Sequence, residues 1–161
     1  MTTGTGARLY SMFSRWLIGV LVVLAFVPGS AGAVTLVNPD GSVAQPYQWM
    51  ADRARVPTVD KTLVVQFDAA QMCQGHADCS SPDGWIALTA PDPMMRHVLM
   101  HELGHQFDYV MPEWKRQRFL RTLHLGIPWE ANGNPASGRE IFADYYADCA
   151  RKRHMVSTSG L

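Results

Sequence analysis

Apolar positions in this chain come first as short runs broken by turn formers, and only later as longer stretches with helical spacing. The first run, Trp16 to Val27, follows Arg8 and Arg15 and is closed by Pro28-Gly29 and then Ala31-Gly32-Ala33. That order is the anatomy of a secretory signal peptide over residues 1–33, with cleavage after Ala33. The run is shorter than the roughly 20 residues of a bilayer span, so a retained anchor is the lesser reading. A brief apolar run at residues 34–37 then ends in the turn Asn38-Pro39-Asp40-Gly41. Residues 46–55 have helical character, with Pro46 at the first turn, Tyr47, Trp49, Met50 and Ala54 available to pack, and Pro57 as terminator. Residues 63–67 and 84–89 are strands by composition, joined through a loop that carries Cys73 and Cys79.

Helical periodicity dominates from there. Asp92-Pro93 reads as N-cap and first helical residue of a helix on which Leu99, Leu103 and Phe107 recur every fourth position, forming a packing face. A second helix starts near Met111-Pro112 and runs to about Leu125, with Phe119, Leu120 and Leu123 on its apolar side. Residues 127–135 form a loop rich in Pro, Gly and Asn, a last helix spans residues 137–151, and the polar tail 156–161 is frayed. The resulting expectation is one small α+β domain over residues 34–161.

Composition narrows the partners. Two of the 14 Lys and Arg fall in the leader, leaving a net charge near −2 against 14 Asp and Glu. Such a balance argues for neither nucleic acid nor an anionic membrane surface as partner. The cluster Lys115, Arg116, Arg118 and Arg121 reads as a solvated helix face. Three cysteines, Cys73, Cys79 and Cys149, in a chain sent to an oxidising compartment imply one bridge and one leftover thiol. Cys73 with Cys79 is the local pairing, and Cys149 with either is the competitor.

The candidate chemistry lies in His101-Glu102-Leu103-Gly104-His105. Residues four apart on a helix sit about 40° apart around the axis and about 6 Å along it, so both imidazoles project into one volume and make half of a tetrahedral zinc site. Glu102, about 100° round, is placed to reach a water there as general base and is badly placed as a ligand. The competing reading is a buried helix whose histidines are satisfied core residues. A catalytic zinc needs a third protein ligand and an open position. His97 and Asp108 share the stripe but lie about 12 and 10 Å along the axis from the farther histidine, so the third ligand has to come from a later helix.

With its flanks, residues 98–107, this stretch resembles the extended signature of the zincin metallopeptidases. The resemblance implies zinc on His101 and His105, water activation by Glu102, and an edge strand just before the metal helix, here residues 85–89, that pairs with an extended peptide or protein substrate. The Gly and His that metzincins carry three and six residues after the second histidine are replaced by Asp108 and Met111. Glu140-Ile141-Phe142-Ala143-Asp144 instead resembles the Glu-x-x-x-Asp element of gluzincins, which implies Glu140 as third ligand and Asp144 as the partner that orients a zinc histidine. Ser137-x-x-Glu140 also spells a capping box, Glu140, Asp144 and Asp148 also read as a plain acidic face, and Glu130 and His124 are fallback ligands. The donor for the oxyanion stays open among Tyr109, Tyr145, Tyr146, His124 and His154. The resemblance as a whole implies a secreted, monomeric zinc metallopeptidase. Two alternatives remain beside it: a secreted zincin-like binding domain without turnover, and an endopeptidase of cell-wall peptides.

Overall fold

The structure, a computed structural model, describes residues 33–89, 95–130 and 134–151. The expected leader, the expected Asp92-Pro93 cap, His154 and the tail 156–161 therefore lie outside the described residues. The fold is α+β. Among the described residues, β1 (Thr35–Val37), β2 (Thr62–Gln66), β3 (Cys79–Ser81) and β4 (Trp85–Ala87) form a mixed sheet in the order β1-β2-β4-β3. β1 and β2 run parallel with Thr35 opposite Thr62, β2 and β4 run parallel with Val64 opposite Trp85, and β3 returns antiparallel with Cys79 opposite Ala87.

This order corrects one expectation. Residues 85–89 do not form the sheet edge: β4 is interior, and the edge is β3, from the segment read as a loop. The reversal is a tight turn in which the Gly84 amide donates to the Ser81 carbonyl at 3.0 Å, with Gly84 at φ 95°, a left-handed conformation that suits glycine. A Cys-Ser-Ser strand has little β propensity of its own and is held by its neighbours. In β4 the backbone of Gly84 and Leu88 bonds to Val64 and Gln66 of β2, so Trp85 and Ala87 face β3. Ser80, opposite Ile86, then turns its N–H and C=O away from the sheet.

Helix α3 (Met95–Val110) packs on this sheet and fastens its edge. Tyr109 Oη donates to the Ser80 carbonyl at 2.9 Å and Gln106 Nε2 to the Ser81 carbonyl at 2.8 Å. Leu36, Leu63, Val65, Ile86, Leu99 and Leu103 are buried between sheet and helix. The third layer is α5 (Gly138–Arg151), whose Ala143, Ala147 and Ala150 are fully buried. Small residues on both sides permit a close approach: a Cβ built on Gly104 of α3 would stand 3.0 Å from the Ala143 Cα and 3.2 Å from the Tyr146 Cβ. Phe107, Phe119, Trp129 and Phe142 close the far side in a cluster of stacked, tilted and edge-on rings.

The shorter elements differ more from expectation. Helix α1 (Tyr47–Ala51) stops four residues early, and Trp49 is exposed with the Arg53 guanidinium 4.0 Å over its ring. A helical turn, α2 (Ala69–Met72), precedes the bridge Cys73–Cys79, which is the local pairing and leaves Cys149 free. Helix α4 (Glu113–Thr122) ends before Leu125. Arg116 leaves the solvated face assigned to it: its Nε lies 2.9 Å from Asp108 Oδ1. No helix among the described residues is long and apolar enough to cross a membrane.

Candidate metal centre

The 3.6-residue repeat of α3 carries His101 and His105 to one face, and their rings meet edge to face with Nε2 atoms 3.1 Å apart. From α5, Glu140 Oε2 comes to 3.2 Å from His101 Nε2 and 3.4 Å from His105 Nε2. One turn on, Asp144 Oδ1 accepts from His101 Nδ1 at 2.9 Å. With that proton given to Asp144, a neutral His101 presents a lone pair at Nε2. With the His105 proton likewise on Nδ1, which has no partner among the described residues, three acceptors face one another, an arrangement that repels itself unless positive charge sits between them.

The donor spacing fits a metal ion. Tetrahedral bonds of about 2.0–2.1 Å to nitrogen and oxygen require donors about 3.3–3.4 Å apart. The three edges here are 3.1, 3.2 and 3.4 Å. His101, Glu102 and His105 likewise offer donor atoms all within 4.8 Å of one another, a group that could hold a metal ion. Glu102 is buried, and its Oε2 has no hydrogen-bond partner among the described residues, so that oxygen is uncommitted beside the histidines.

The charges respond to this crowding. Burial would lower the His101 pKa, but the Glu140 bond, the Glu102 charge and the Asp144 bond outweigh it and hold the imidazole at about 9. The same bonds to His101 and His105 keep the Glu140 carboxylate well below the usual range. Glu102 moves the other way, because burial raises it more than the two histidines lower it. Without a metal, a proton on His101 supplies the positive charge.

The capping-box alternative is half realised. Ser137 Oγ accepts from the Glu140 amide at 3.4 Å, whereas the Glu140 carboxylate turns to the histidines and the Ser137 amide bonds the Asn134 carbonyl. Glu130 is instead tied to Arg139 Nη2 at 2.8 Å, and His124 sits at the end of α4 with φ 54°. A cleft of about 380 Å³ opens over the donors, its lining including His76, Asp78 and Ser80 as well as Asn134, Pro135 and Arg139. Tyr109 lines this cleft. Tyr146 donates to the Pro57 carbonyl in the core, and Tyr145 packs edge-on against Phe119.

Comparison with known proteins adds nothing to these residues. No family model matches the chain, and no curated protein or solved structure is similar to it.

The sequence reading weighed one residue beside the centre only as a ligand and missed its pairing. Asp108, fully buried, accepts from Trp129 Nε1 at 3.0 Å and pairs with Arg116 and Arg139 at 2.9 and 2.8 Å. Its place on the histidine stripe of α3 was the available signal. Nothing local shows that two guanidiniums from other helices converge on it.

Proposed function

We propose that this chain is a secreted zinc metallopeptidase of the zincin type, closest in its ligand pattern to the gluzincins. The observation that carries the reading is the convergence of His101 Nε2, His105 Nε2 and Glu140 Oε2 on one point at tetrahedral spacing. Zinc is favoured over calcium or magnesium by two imidazoles and one carboxylate in a compact set. Bound there, zinc would act as a Lewis acid that lowers the pKa of water towards about 7 and polarises a carbonyl.

The chain's own residues supply the rest. Glu102, next to His101 with a free carboxylate oxygen, takes the proton of the attacking water and returns it to the departing amine. Its burial raises its pKa, which suits a group that must hold a proton briefly at neutral pH. Asp144 fixes the His101 ring by accepting from Nδ1, which sets the tautomer and raises the basicity of Nε2. The peptide lies extended along β3, the strand that borders the cleft. The disulfide Cys73–Cys79 and the leader at residues 1–33 agree with export to an oxidising compartment.

Glu102→Gln decides the reading. The variant keeps the shape of the side chain and the metal ligands, so zinc content should remain at wild-type level while hydrolysis of a peptide library and of cell-wall crosslinks falls at least about 100-fold. Retained turnover would remove Glu102 from the mechanism. Zinc binding by the wild-type chain with no cleavage of either substrate would leave a metal-binding domain without turnover.

A further inference from the structure

We infer that Asp108 is a positioning residue for the third ligand: through Arg139 and Trp129 it locks the first turn of α5, and with it Glu140, to the helix that carries both histidines. The inference rests on the metal-site reading. Asp108 lies three residues beyond His105 on α3, so it moves as one rigid body with the two imidazoles. Its Oδ2 holds Arg139 Nε at 2.8 Å, and Arg139 is the chain neighbour of Glu140. Its Oδ1 accepts from the Trp129 indole at 3.0 Å. The Trp129 carbonyl in turn accepts from the Arg139 amide at 3.0 Å, which closes a ring of bonds around the start of α5.

Glu140 needs this anchorage. Its side chain is 35% exposed, and the segment ahead of α5 is a loop. The Asp144 bond to His101 steadies α5 one turn beyond Glu140, and the Asp108 ring steadies it one residue before. A metal tolerates donor displacements of only about 0.2 Å. Fixing both sides of Glu140 to α3 is therefore what brings the donor edges to 3.1–3.4 Å.

Asp108 also binds Arg116, through Oδ1 and through its own carbonyl at 2.7 Å, but that arm leads to α4 and not to Glu140. The two arms separate positioning from plain stability. In the full-length chain, Arg139→Gln and Arg116→Gln are each compared with wild type for zinc Kd, by competition with a chelator, and for the thermal midpoint of the metal-free protein. Both variants should lower the midpoint. Arg139→Gln should raise Kd about tenfold or more, the scale of lost outer-sphere support. Arg116→Gln should leave Kd within about threefold, well short of that scale. If Arg139→Gln does not fold, Arg139→Lys, which keeps the charge and loses the planar guanidinium, carries the same expectation. Equal shifts of Kd in the two variants, or no shift in either, would overturn the assignment while leaving the metal site standing. A wild-type chain that takes up no zinc would fell both.

Discussion

Substituting Gly104 tests the contact that brings the two helices carrying the proposed ligands together. An ideal Cβ at this position meets the Ala143 Cα at 3.0 Å, the Tyr146 Cβ at 3.2 Å and its Cγ at 3.3 Å, where ordinary contact begins at 3.4 Å. One obstacle is backbone and cannot swing aside, so Gly104→Ala must push α5 outward by a few tenths of an ångström. Overpacking of this kind costs about 1–3 kcal/mol. The gain in helix propensity from Gly to Ala returns about 1 kcal/mol, leaving a net loss of about 0–2 kcal/mol. The displacement falls on Ala143, less than one turn from Glu140, and beside His105, so the donor triangle widens by more than a metal accepts and zinc Kd should rise about tenfold. Thermal unfolding of the metal-free chain and chelator competition measure the two effects. Gly126→Ala, with nothing within 4 Å of the added carbon, is the matched control and should change neither. A Gly104→Ala protein with wild-type midpoint and Kd would mean that α3 and α5 are not seated as described.

Three further outcomes follow from the same coordinates. Asp144→Ala removes the acceptor on His101 Nδ1 and should weaken zinc about tenfold with little loss of fold, because Asp144 is exposed; unchanged Kd in a metal titration would refute its orienting role. His101 has its folded pKa raised from 6.5 to about 9, so in the metal-free chain its contribution to stability is complete below pH 6.5 and is lost as pH rises through 9. Zinc binding at the proposed site would displace that proton, so log Kd should fall by about one per pH unit between pH 7 and 9, and a flat profile would contradict the shift. Replacing both Cys73 and Cys79 by Ser opens a ring of sequence separation 6, which should cost less than about 3 kcal/mol and chiefly loosen β3. Amide exchange at residues 79 and 81 should then rise more than exchange in α3, and equal protection in both proteins would count against the bridge as support for the edge.

How far the sequence discloses this molecule depends on the range of the interaction involved. His101, Glu102 and His105 are legible because one helix fixes their geometry within five residues. The Glu140 and Asp144 pairing is not derivable from spacing. Only the resemblance points to it, since 35 residues of chain separate Glu140 from His105 and any acidic face could serve. Strand order is the clearest failure. Residues 84–89 look like an edge as readily as an interior strand, because a neighbour's identity is decided by where the Cys73–Cys79 segment folds back. The Asp108 cluster escaped for a related reason: Arg116 read as one more solvated charge until a buried carboxylate from another helix was placed against it.

The hydroxyl of Tyr109 already occupies the one carbonyl that Ser80 turns outward. A peptide aligned with this rim, as proposed above, would accept from the Ser80 amide and would have to share the Ser80 carbonyl with the tyrosine. A tertiary amide, as at proline or an N-alkylated residue, would forfeit only that shared bond, so the rim should distinguish less sharply between secondary and tertiary amides at that register.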